Sequence, residues 1–191
     1  MKFLPKAITA GVALLGLGTA WAAPETFKID NNHTYPMFEA THFGISVQRG
    51  RFDKTSGKIV LDREAKSGSI NVTIDAASIS MGFAAWNEKM RSEEFFNVEK
   101  FPVMTFKSTK LIFKDDKLVG ADGEFTLLGI SKPLRLKVSG FACTQHPLSK
   151  KPYCGAEVSA EIKRSDFGMK LGIPAVGDSV RLVSPVEAVK D

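Results

Sequence analysis

The sequence predicts an all-β domain of antiparallel strands with one short helix. Apolar and polar residues alternate with a period of two through most of the chain, the pattern of strands with one buried and one exposed face. The connections between these segments are short and contain no helix, which favours antiparallel pairing. About eight to ten such segments are present, so either a two-sheet sandwich or a closed barrel would bury their apolar faces.

The first 22 residues are predicted to be an export signal. Lys2 and Lys6 form a basic start, an apolar run follows, and Ala20-Trp21-Ala22 fits the A-x-A cleavage pattern. The apolar run is shorter than the roughly 20 residues that cross a bilayer, so a retained anchor is the less favoured alternative. We therefore expect a periplasmic protein without stable membrane insertion, in which residues 23–191 form a single domain.

The charge of this domain is mild. Without the signal, 24 basic residues face 21 acidic ones, a net charge of +3, and the lysines are scattered among acidic residues. Aromatic and basic residues do not alternate as they do in nucleic-acid-binding modules. We therefore expect no nucleic acid as a partner, and a homodimer is left open.

The predicted strands share an apolar face. Before the helix, its residues are Phe27, Ile29, Pro36, Phe38, Ala40, His42, Ile70, Val72 and Ile74. After the helix, they are Met104, Phe106, Phe125, Leu127, Leu134, Leu136, Val138, Val158, Ala160, Ile162, Val180 and Leu182. Asp115-Asp116 is a candidate hairpin turn, and another turn is expected over Gly129–Pro133.

The helix is predicted shortly after Met81. Phe83, Trp86 and Met90 recur at i, i+3 and i+7, with charged residues between them. Further on, Pro102 pushes Phe101 towards an extended conformation, and a period of two begins at Val103. A short amphipathic helix therefore leads into a strand, with aromatic residues concentrated where they meet.

The two cysteines, Cys143 and Cys154, are expected to form a disulfide. In an exported protein, one pair separated by a polar, proline-containing segment typically closes a loop. Such a bridge would contribute on the order of 2–3 kcal/mol to stability. A metal site with His146 as a third ligand is the sharper alternative, but no second cluster of ligands accompanies it. The pair also lacks the C-x-x-C spacing of redox-active cysteines.

No catalytic motif is present in the sequence. Gly44-Ile-Ser46-Val-Gln48 lacks the second glycine of a nucleophile elbow, and no H-E-x-x-H motif occurs. His33 and His42 could approach each other from the ends of one strand, although such histidines more often cap turns. We therefore predict no enzyme, no catalytic residue, no metal and no cofactor.

Phenylalanine is abundant, with 14 residues in the chain. Phe38, Phe106 and Phe125 fall at predicted inward positions, and others surround the helix, including Phe83, Phe95, Phe96 and Phe101. Each of these rings could simply fill a core. Together, a barrel lined by apolar side chains suits a long hydrocarbon ligand, whose burial contributes roughly 0.8 kcal/mol per methylene. Polar residues near the opening, such as His42, Arg91 and Ser92, could hold a head group.

Several blocks resemble the YceI-like, polyisoprenoid-binding family of exported proteins. MRSEEFFNVEKFPVMTFKST (90–109) is similar to the family block L-R-S-x-D-F-F-D-V-x-x-Y-P-x-x-T-F-x-S-T. GEFTLLGISKPL (123–134) is similar to G-D-L-T-x-x-G-x-x-K-P-V. Further matches are His33-Thr34, VTID (72–75), RSDFGM (164–169) and VGD (176–178). The blocks occur in the family's order and cover essentially the whole chain after the signal.

The resemblance implies a lipocalin-like antiparallel barrel with the helix packed at one end, holding an isoprenoid lipid inside. The expected ligand-contacting residues are Phe38, His42, Phe83, Trp86, Met90, Arg91, Phe95, Phe106, Phe125, Leu127 and Phe167. This chain has Trp86-Asn-Glu-Lys89 where the family often has Arg-Asp-x-His, and Leu128 where the family has a histidine. Both differences remove polar or basic groups, so they favour a neutral quinone over a polyprenyl phosphate.

Three functions are consistent with these patterns. A periplasmic carrier of an isoprenoid lipid, such as a quinone, is favoured. There are two alternatives. One is an envelope interaction module with a filled barrel. The other is an enzyme that acts on a lipid-linked substrate, with His33 or His42 as its base.

Overall fold

A computed structural model describes residues 23–191, so the predicted export signal lies outside the described residues. The strands are β1 Glu25–Ile29, β2 Met37–His42, β3 Ser46–Phe52, β4 Thr55–Asp62, β5 Ser67–Asp75, β6 Ile79–Ser80, β7 Val103–Lys114, β8 Lys117–Leu127, β9 Ile130–Gln145, β10 Pro152–Lys163 and β11 Val176–Lys190. One α-helix, α1 (Ala84–Arg91), and two 3-10 turns, Ala76–Ser78 and Arg164–Phe167, complete the described elements.

Eight of the strands close into a barrel. In space, β1 pairs with β4, followed by β5, β7, β8, β9, β10 and β11, and β11 pairs back with β1. Every pairing is antiparallel, as the short connections predict. The predicted all-β class and the lipocalin-like barrel with one helix are therefore confirmed, and the sandwich is excluded.

One edge of strand β11 pairs with β10, and its other edge pairs with two strands in succession. Its first half pairs with β2, and its last residues, Ala188–Lys190, pair with β1. Thr34, in the connection between β1 and β2, fastens this junction. Its hydroxyl donates to the Glu187 carbonyl oxygen (3.1 Å) and accepts from the Glu187 amide (3.0 Å). The hairpin of β2 and β3, with the short β6, thus extends the wall beyond the closed ring.

The barrel has two distinct ends. At the first, which we call the disulfide end, lie the β4–β5 and β7–β8 turns and the β9–β10 loop. There Cys143 and Cys154 pair directly across β9 and β10 and form the predicted disulfide. At the second, the helix end, lie α1, the β2–β3 and β8–β9 turns and residues 164–175.

The β8–β9 turn is shorter than the sequence suggests. Leu128 and Gly129 both have positive φ (51° and 71°) and make a two-residue turn, and β9 already begins at Ile130. Pro133 therefore lies within the strand, opposite Glu124, so the prediction of a turn over Gly129–Pro133 is wrong. Strand β10 pairs with β9 only from Lys137 onward, so the missing N–H of Pro133 costs no bond to β10.

Helix α1 is held at the helix end by a few specific contacts. Met90 is its single buried residue, and Nε of Arg91 donates to the Ala77 carbonyl (2.8 Å). The amide of Met81 donates to Oδ1 of Asn87 (2.7 Å). An isolated helix of eight residues is marginal in water, so these contacts must stabilise it. Within the described residues, no helix has the length and apolar character needed to cross a membrane.

Candidate ligand-binding cavity

The barrel encloses a cavity of about 510 Å³, a volume typical of small-molecule sites. Inward-facing side chains of the strands form its wall, and α1 contributes Trp86 and Met90. Along β11 alone the wall extends from Val176 to Ala188, which is roughly 40 Å along an extended strand. The cavity is therefore elongated along the barrel, from the disulfide end to the helix end.

The wall of the cavity is mainly apolar. Its aromatic residues are Phe27, Phe38, Phe52, Trp86, Phe95, Phe96, Phe106, Phe125 and Phe141. Three of these rings pack on one another, with centroids 6.1 Å apart for Phe38 and Phe96 and 5.2 Å for Phe52 and Phe96. Such a surface offers contact area and few hydrogen bonds, which suits a hydrocarbon chain.

The cavity opens at the helix end. Among the described wall residues, Gln48 on β3 and Trp86 on α1 are exposed, whereas the other wall residues are buried or half-buried. His42 lies half-buried in the same region, with its ring centroid 4.3 Å from that of Phe43. We call the opening beside Gln48 and Trp86 the mouth.

Arg164 is a buried cation in the cavity wall. Only 4% of the residue is exposed, and its guanidinium donates to the carbonyl oxygens of Gly177 (2.9 Å), Met169 (3.2 Å) and Val176 (3.0 Å). Burial lowers the pKa of Arg164, although the charge of nearby Asp178 opposes this shift. Three of the five guanidinium N–H groups are thus used, and two remain for an acceptor on a ligand.

Thr55 is a second polar group in the wall. It is 4% exposed, and its hydroxyl oxygen has no hydrogen-bond partner among residues 23–191. A buried hydroxyl without a partner is unfavourable by about 1–3 kcal/mol. Thr55 is therefore available to a polar atom inside the cavity.

Eight of the eleven ligand-contacting residues expected from the sequence lie in the cavity wall. These are Phe38, His42, Trp86, Met90, Phe95, Phe106, Phe125 and Leu127. Whether a ligand contacts them stays a prediction. The sequence pattern was sufficient to predict that these residues share the cavity wall, because the strand period of two and the helical period each identify the face of an element that points inward.

The other three residues lie outside the wall. Phe83 precedes the first turn of α1 and is 60% exposed. Arg91 is held by the Ala77 carbonyl and by an ion pair with Glu88 (2.6 Å), so its side chain stabilises α1. Phe167 is buried against Phe125, with ring centroids 5.7 Å apart. Ser92 likewise hydrogen-bonds to the Lys89 carbonyl instead of facing the mouth.

Arg164 and Thr55 are two polar wall residues that sequence reasoning missed, although a signal for Arg164 exists. It continues the alternation of Val158, Ala160 and Ile162 to the first residue after β10, so the strand pattern predicts an inward side chain there. A charged residue at an inward position is unusual enough to indicate a role. Thr55 precedes Ile59 and Leu61 in the same way, but a threonine on a strand gives no such signal.

His33 lies away from the cavity, in a polar cluster at the junction of β1 and β2. Its Nδ1 is 2.8 Å from Oδ2 of Asp30 and 3.8 Å from Oε2 of Glu187. The hydroxyl of Tyr153 is within hydrogen-bond distance of both Asp30 (2.9 Å) and Glu187, either of which can accept its one hydrogen. Ligand atoms of Asp30, His33 and Glu187 lie within 4.8 Å of one another, close enough to hold a metal ion. In the structure, Asp30 is hydrogen-bonded to His33, and Glu187 to Tyr153. Strand β2 separates His33 from His42, so the two histidines share no site.

The comparisons with known proteins agree with this fold. A sequence profile described as "YceI-like domain" matches residues 27–188. The chain therefore belongs to the YceI-like family. A "UPF0312 protein" of Pseudomonas aeruginosa is similar to it, with 31% identity over 185 residues, 96% of each chain.

Two solved structures have the same fold. The crystal structure of BcnA from Burkholderia cenocepacia is similar with a TM-score of 0.71 and 20% identity, covering 83% of this chain and 98% of BcnA. A protein from Saccharophagus degradans, described as a "polyisoprenoid binding domain", is similar with a TM-score of 0.66 and 19% identity. That match covers 86% of this chain and 98% of the domain.

Proposed function

We propose that this YceI-like protein is a periplasmic carrier that holds the chain of an isoprenoid lipid inside its barrel, without covalent chemistry. The observation that carries the proposal is the continuous apolar cavity, elongated along the barrel and open at one end. Each methylene that leaves water for such a wall contributes roughly 0.8 kcal/mol. The polyisoprenoid-binding neighbour from Saccharophagus degradans supports the choice of ligand class.

The head group that fits the polar residues best is a quinone. Arg164 is the single charged residue of the described wall, and three carbonyl oxygens already share its charge. A phosphate dianion would be poorly neutralised there, whereas a quinone oxygen can accept a hydrogen bond from one of the two remaining N–H groups. Trp86 stands where the family often has arginine, and the loss of that cation supports the same choice.

A periplasmic location is supported by two independent features. The disulfide between Cys143 and Cys154 requires an oxidising compartment to form and persist. The sequence of residues 1–22 has the basic start, apolar run and cleavage site of an export signal.

The cavity itself argues against a barrel filled by phenylalanines, because space for a ligand remains between the rings. Geometry also gives little support to catalysis on that ligand. His33 does not line the cavity, and His42 has no carboxylate partner among the described residues that would orient it as a base. Binding without turnover is the simpler function for this site.

We expect binding to weaken when the cavity is filled. Ala156 lies in the wall on β10, whereas Ala142, on the paired segment of β9, is exposed. We expect Ala156→Phe to lower the affinity for a long-chain ubiquinone at least about tenfold, because the added ring occupies the space of several methylenes. Ala142→Phe makes the same change on the outer surface and should bind like the wild type.

Binding can be followed by quenching of Trp86, the single tryptophan of residues 23–191, in titrations with ubiquinone dispersed in mild detergent. Circular dichroism would verify that both variants retain the fold. Equal affinity in the wild type, Ala156→Phe and Ala142→Phe would show that the isoprenoid chain does not enter the barrel.

A further inference from the structure

Exposed apolar side chains are concentrated at one end of the barrel. The large apolar residues that are exposed in the described part of the chain are Phe43, Ile45, Val47, Phe83, Trp86, Val103, Ile130, Leu148 and Leu171. Leu148, in the β9–β10 loop, lies at the disulfide end, and all the others lie at the helix end. Single apolar residues scattered over a surface need no explanation, but these residues are clustered at one end.

Six of these residues surround the mouth, and we call them the apolar rim: Phe43, Ile45, Val47, Phe83, Trp86 and Leu171. The amide of Phe43 donates to the Ala175 carbonyl (2.6 Å), which brings the β2–β3 turn against the segment that carries Leu171. Val47 precedes Gln48, which lines the mouth together with Trp86. The apolar rim is therefore continuous with the cavity wall.

The residues at the tip of the β2–β3 turn extend furthest into solvent. Ile45 is 85% exposed and Phe43 is 63% exposed, so neither contributes much to the packing of the barrel. Aromatic and aliphatic side chains on exposed turns, beside basic residues, are typical of surfaces that enter the interface of a bilayer. Such residues cost solubility, and a partner that covers them would explain their presence.

Two lysines at this end are available to an anionic surface. Lys170 precedes Leu171, and Lys132 follows Ile130 by two positions; neither forms an ion pair within residues 23–191. Of the acidic residues of α1 and its following turn, Glu88 and Glu94 are paired with Arg91 and Lys89, whereas Glu93 is exposed and forms no ion pair among residues 23–191. Each free lysine near an anionic membrane surface adds a favourable contribution.

We propose that the apolar rim docks on the surface of a phospholipid bilayer that contains anionic head groups, so that the mouth faces the membrane. The inference rests on the proposed function, because an isoprenoid chain that leaves the mouth must enter another apolar medium without crossing water. Docking places the cavity and the bilayer interior in continuity.

The test is flotation of the protein with vesicles of phosphatidylethanolamine and phosphatidylglycerol that contain no isoprenoid. We expect the wild type to float with these vesicles and the double variant Phe43→Ser/Ile45→Ser to lose at least about tenfold in partition, because two large side chains no longer enter the bilayer. Leu148→Ser is the matched control: it removes an equally exposed apolar side chain at the disulfide end and should leave flotation unchanged. The emission of Trp86 should also shift to shorter wavelength when vesicles are added to the wild type.

Three outcomes would overturn the docking proposal. One is equal flotation of the wild type and the Phe43→Ser/Ile45→Ser variant. Another is a wild type that binds ubiquinone but no vesicles, which removes docking and leaves the carrier function intact. The third is a wild-type dimer in sedimentation that the double variant abolishes, without vesicle binding, which would assign the apolar rim to a second copy of the chain. A fourth result separates the two proposals. If the wild type floats through its apolar rim but binds no ubiquinone, docking is supported and the carrier function is refuted.

Discussion

At the residue scale, Arg164 and Thr55 are two buried polar groups in the mainly apolar wall of the cavity. Arg164 is fixed by three carbonyl oxygens, so its guanidinium cannot leave the wall without breaking all three hydrogen bonds. Thr55 is equally buried, but its hydroxyl has no partner in the described chain. Arg164 therefore offers a preorganised hydrogen-bond donor. Thr55 offers a buried hydroxyl whose missing hydrogen bond a ligand could supply.

Replacing Thr55 by valine tests this description of the wall. The two side chains have nearly the same shape, so the substitution removes the unpartnered hydroxyl without creating a cavity. We expect Thr55→Val to raise the free energy of unfolding of the ligand-free protein by about 1 kcal/mol, measured by urea denaturation. Thr105→Val on β7, a half-buried position outside the wall, serves as the control and should change stability little. Destabilisation by Thr55→Val would mean that the hydroxyl is satisfied in solution.

Two glycines show how closely the aromatic wall is packed. A Cβ placed on Gly123 of β8 would lie 2.5 Å from the ring of Phe106 and 2.5 Å from the Lys107 carbonyl oxygen. One placed on Gly50 of β3 would overlap the ring of Phe38. Both glycines therefore leave room for phenylalanine rings that the sequence predicts as inward-facing, which explains why these strands tolerate a residue that usually weakens them.

At the element scale, the junction of β1, β2 and β11 depends on the polar cluster around His33. The hydrogen bond to Asp30 and the charge of Asp30 raise the pKa of His33. Burial acts to raise the pKa of Asp30, but hydrogen bonds from His33, the Asn32 amide and Tyr153 outweigh it and lower the pKa. Burial and hydrogen bonds to Glu187 and Asp30 raise the pKa of Tyr153, which therefore stays protonated as a donor.

The cluster predicts a pH dependence of stability. Because the folded protein binds the His33 proton more tightly than the unfolded chain does, the stabilisation is present below the ordinary pKa of 6.5 and is lost as the pH rises through the raised pKa. The contribution of Asp30 is present above its ordinary value of 3.8 and is lost as the pH falls through its lowered pKa. We expect the Tm difference between the wild type and His33→Gln to be largest between these values and to shrink at alkaline pH.

A double-mutant cycle provides the control for this prediction. The Asp30→Asn variant lacks the charged acceptor of the His33 hydrogen bond. In that background, His33→Gln should no longer cause the pH-dependent change in Tm that comes from the His33–Asp30 pair. A Tm difference that grows as the pH rises above 6.5 would contradict the assignment of the proton to His33.

The elements themselves could largely be predicted from local sequence, but their connections could not. Alternation identified the strand faces, and the spacing of Phe83, Trp86 and Met90 identified the helix. The change of partner along β11, from β2 to β1, depends on the contact between Thr34 and Glu187, 153 residues apart. No local pattern reports such a contact. The turn predicted over Gly129–Pro133 is wrong for a related reason. A proline can lie within a strand where one edge has no partner, and only the pairing of β9 shows that β10 is absent beside Pro133.

At the scale of the whole molecule, the two ends of the barrel have different properties. The disulfide end carries the covalent link between β9 and β10 and a single exposed large apolar side chain in the described chain, Leu148. The helix end carries the mouth, Arg164 in the wall and the apolar rim. The disulfide end therefore holds two strands together, and the helix end is suited to exchange of a ligand.

The candidate site could be predicted only in part at this scale. Eight of the expected contact residues line the cavity, since a periodic pattern is enough to select an inward face. Phe83, Arg91 and Phe167 fall outside the wall because turn geometry and hydrogen bonds, which periodicity does not encode, fix their side chains. The volume of the cavity depends on the packing of the ten strands and the helix that line it, and follows from no single segment.

The most direct test of isoprenoid binding is native mass spectrometry of the protein purified from the periplasm of its own host without detergent, followed by extraction of the bound material. We expect one isoprenoid lipid per protein chain, with the mass of a quinone. A stoichiometric polyprenyl phosphate would keep the carrier function and refute the assignment of the head group at Arg164. A protein that is repeatedly free of lipid, and that takes up no quinone when reloaded, would contradict the carrier function itself.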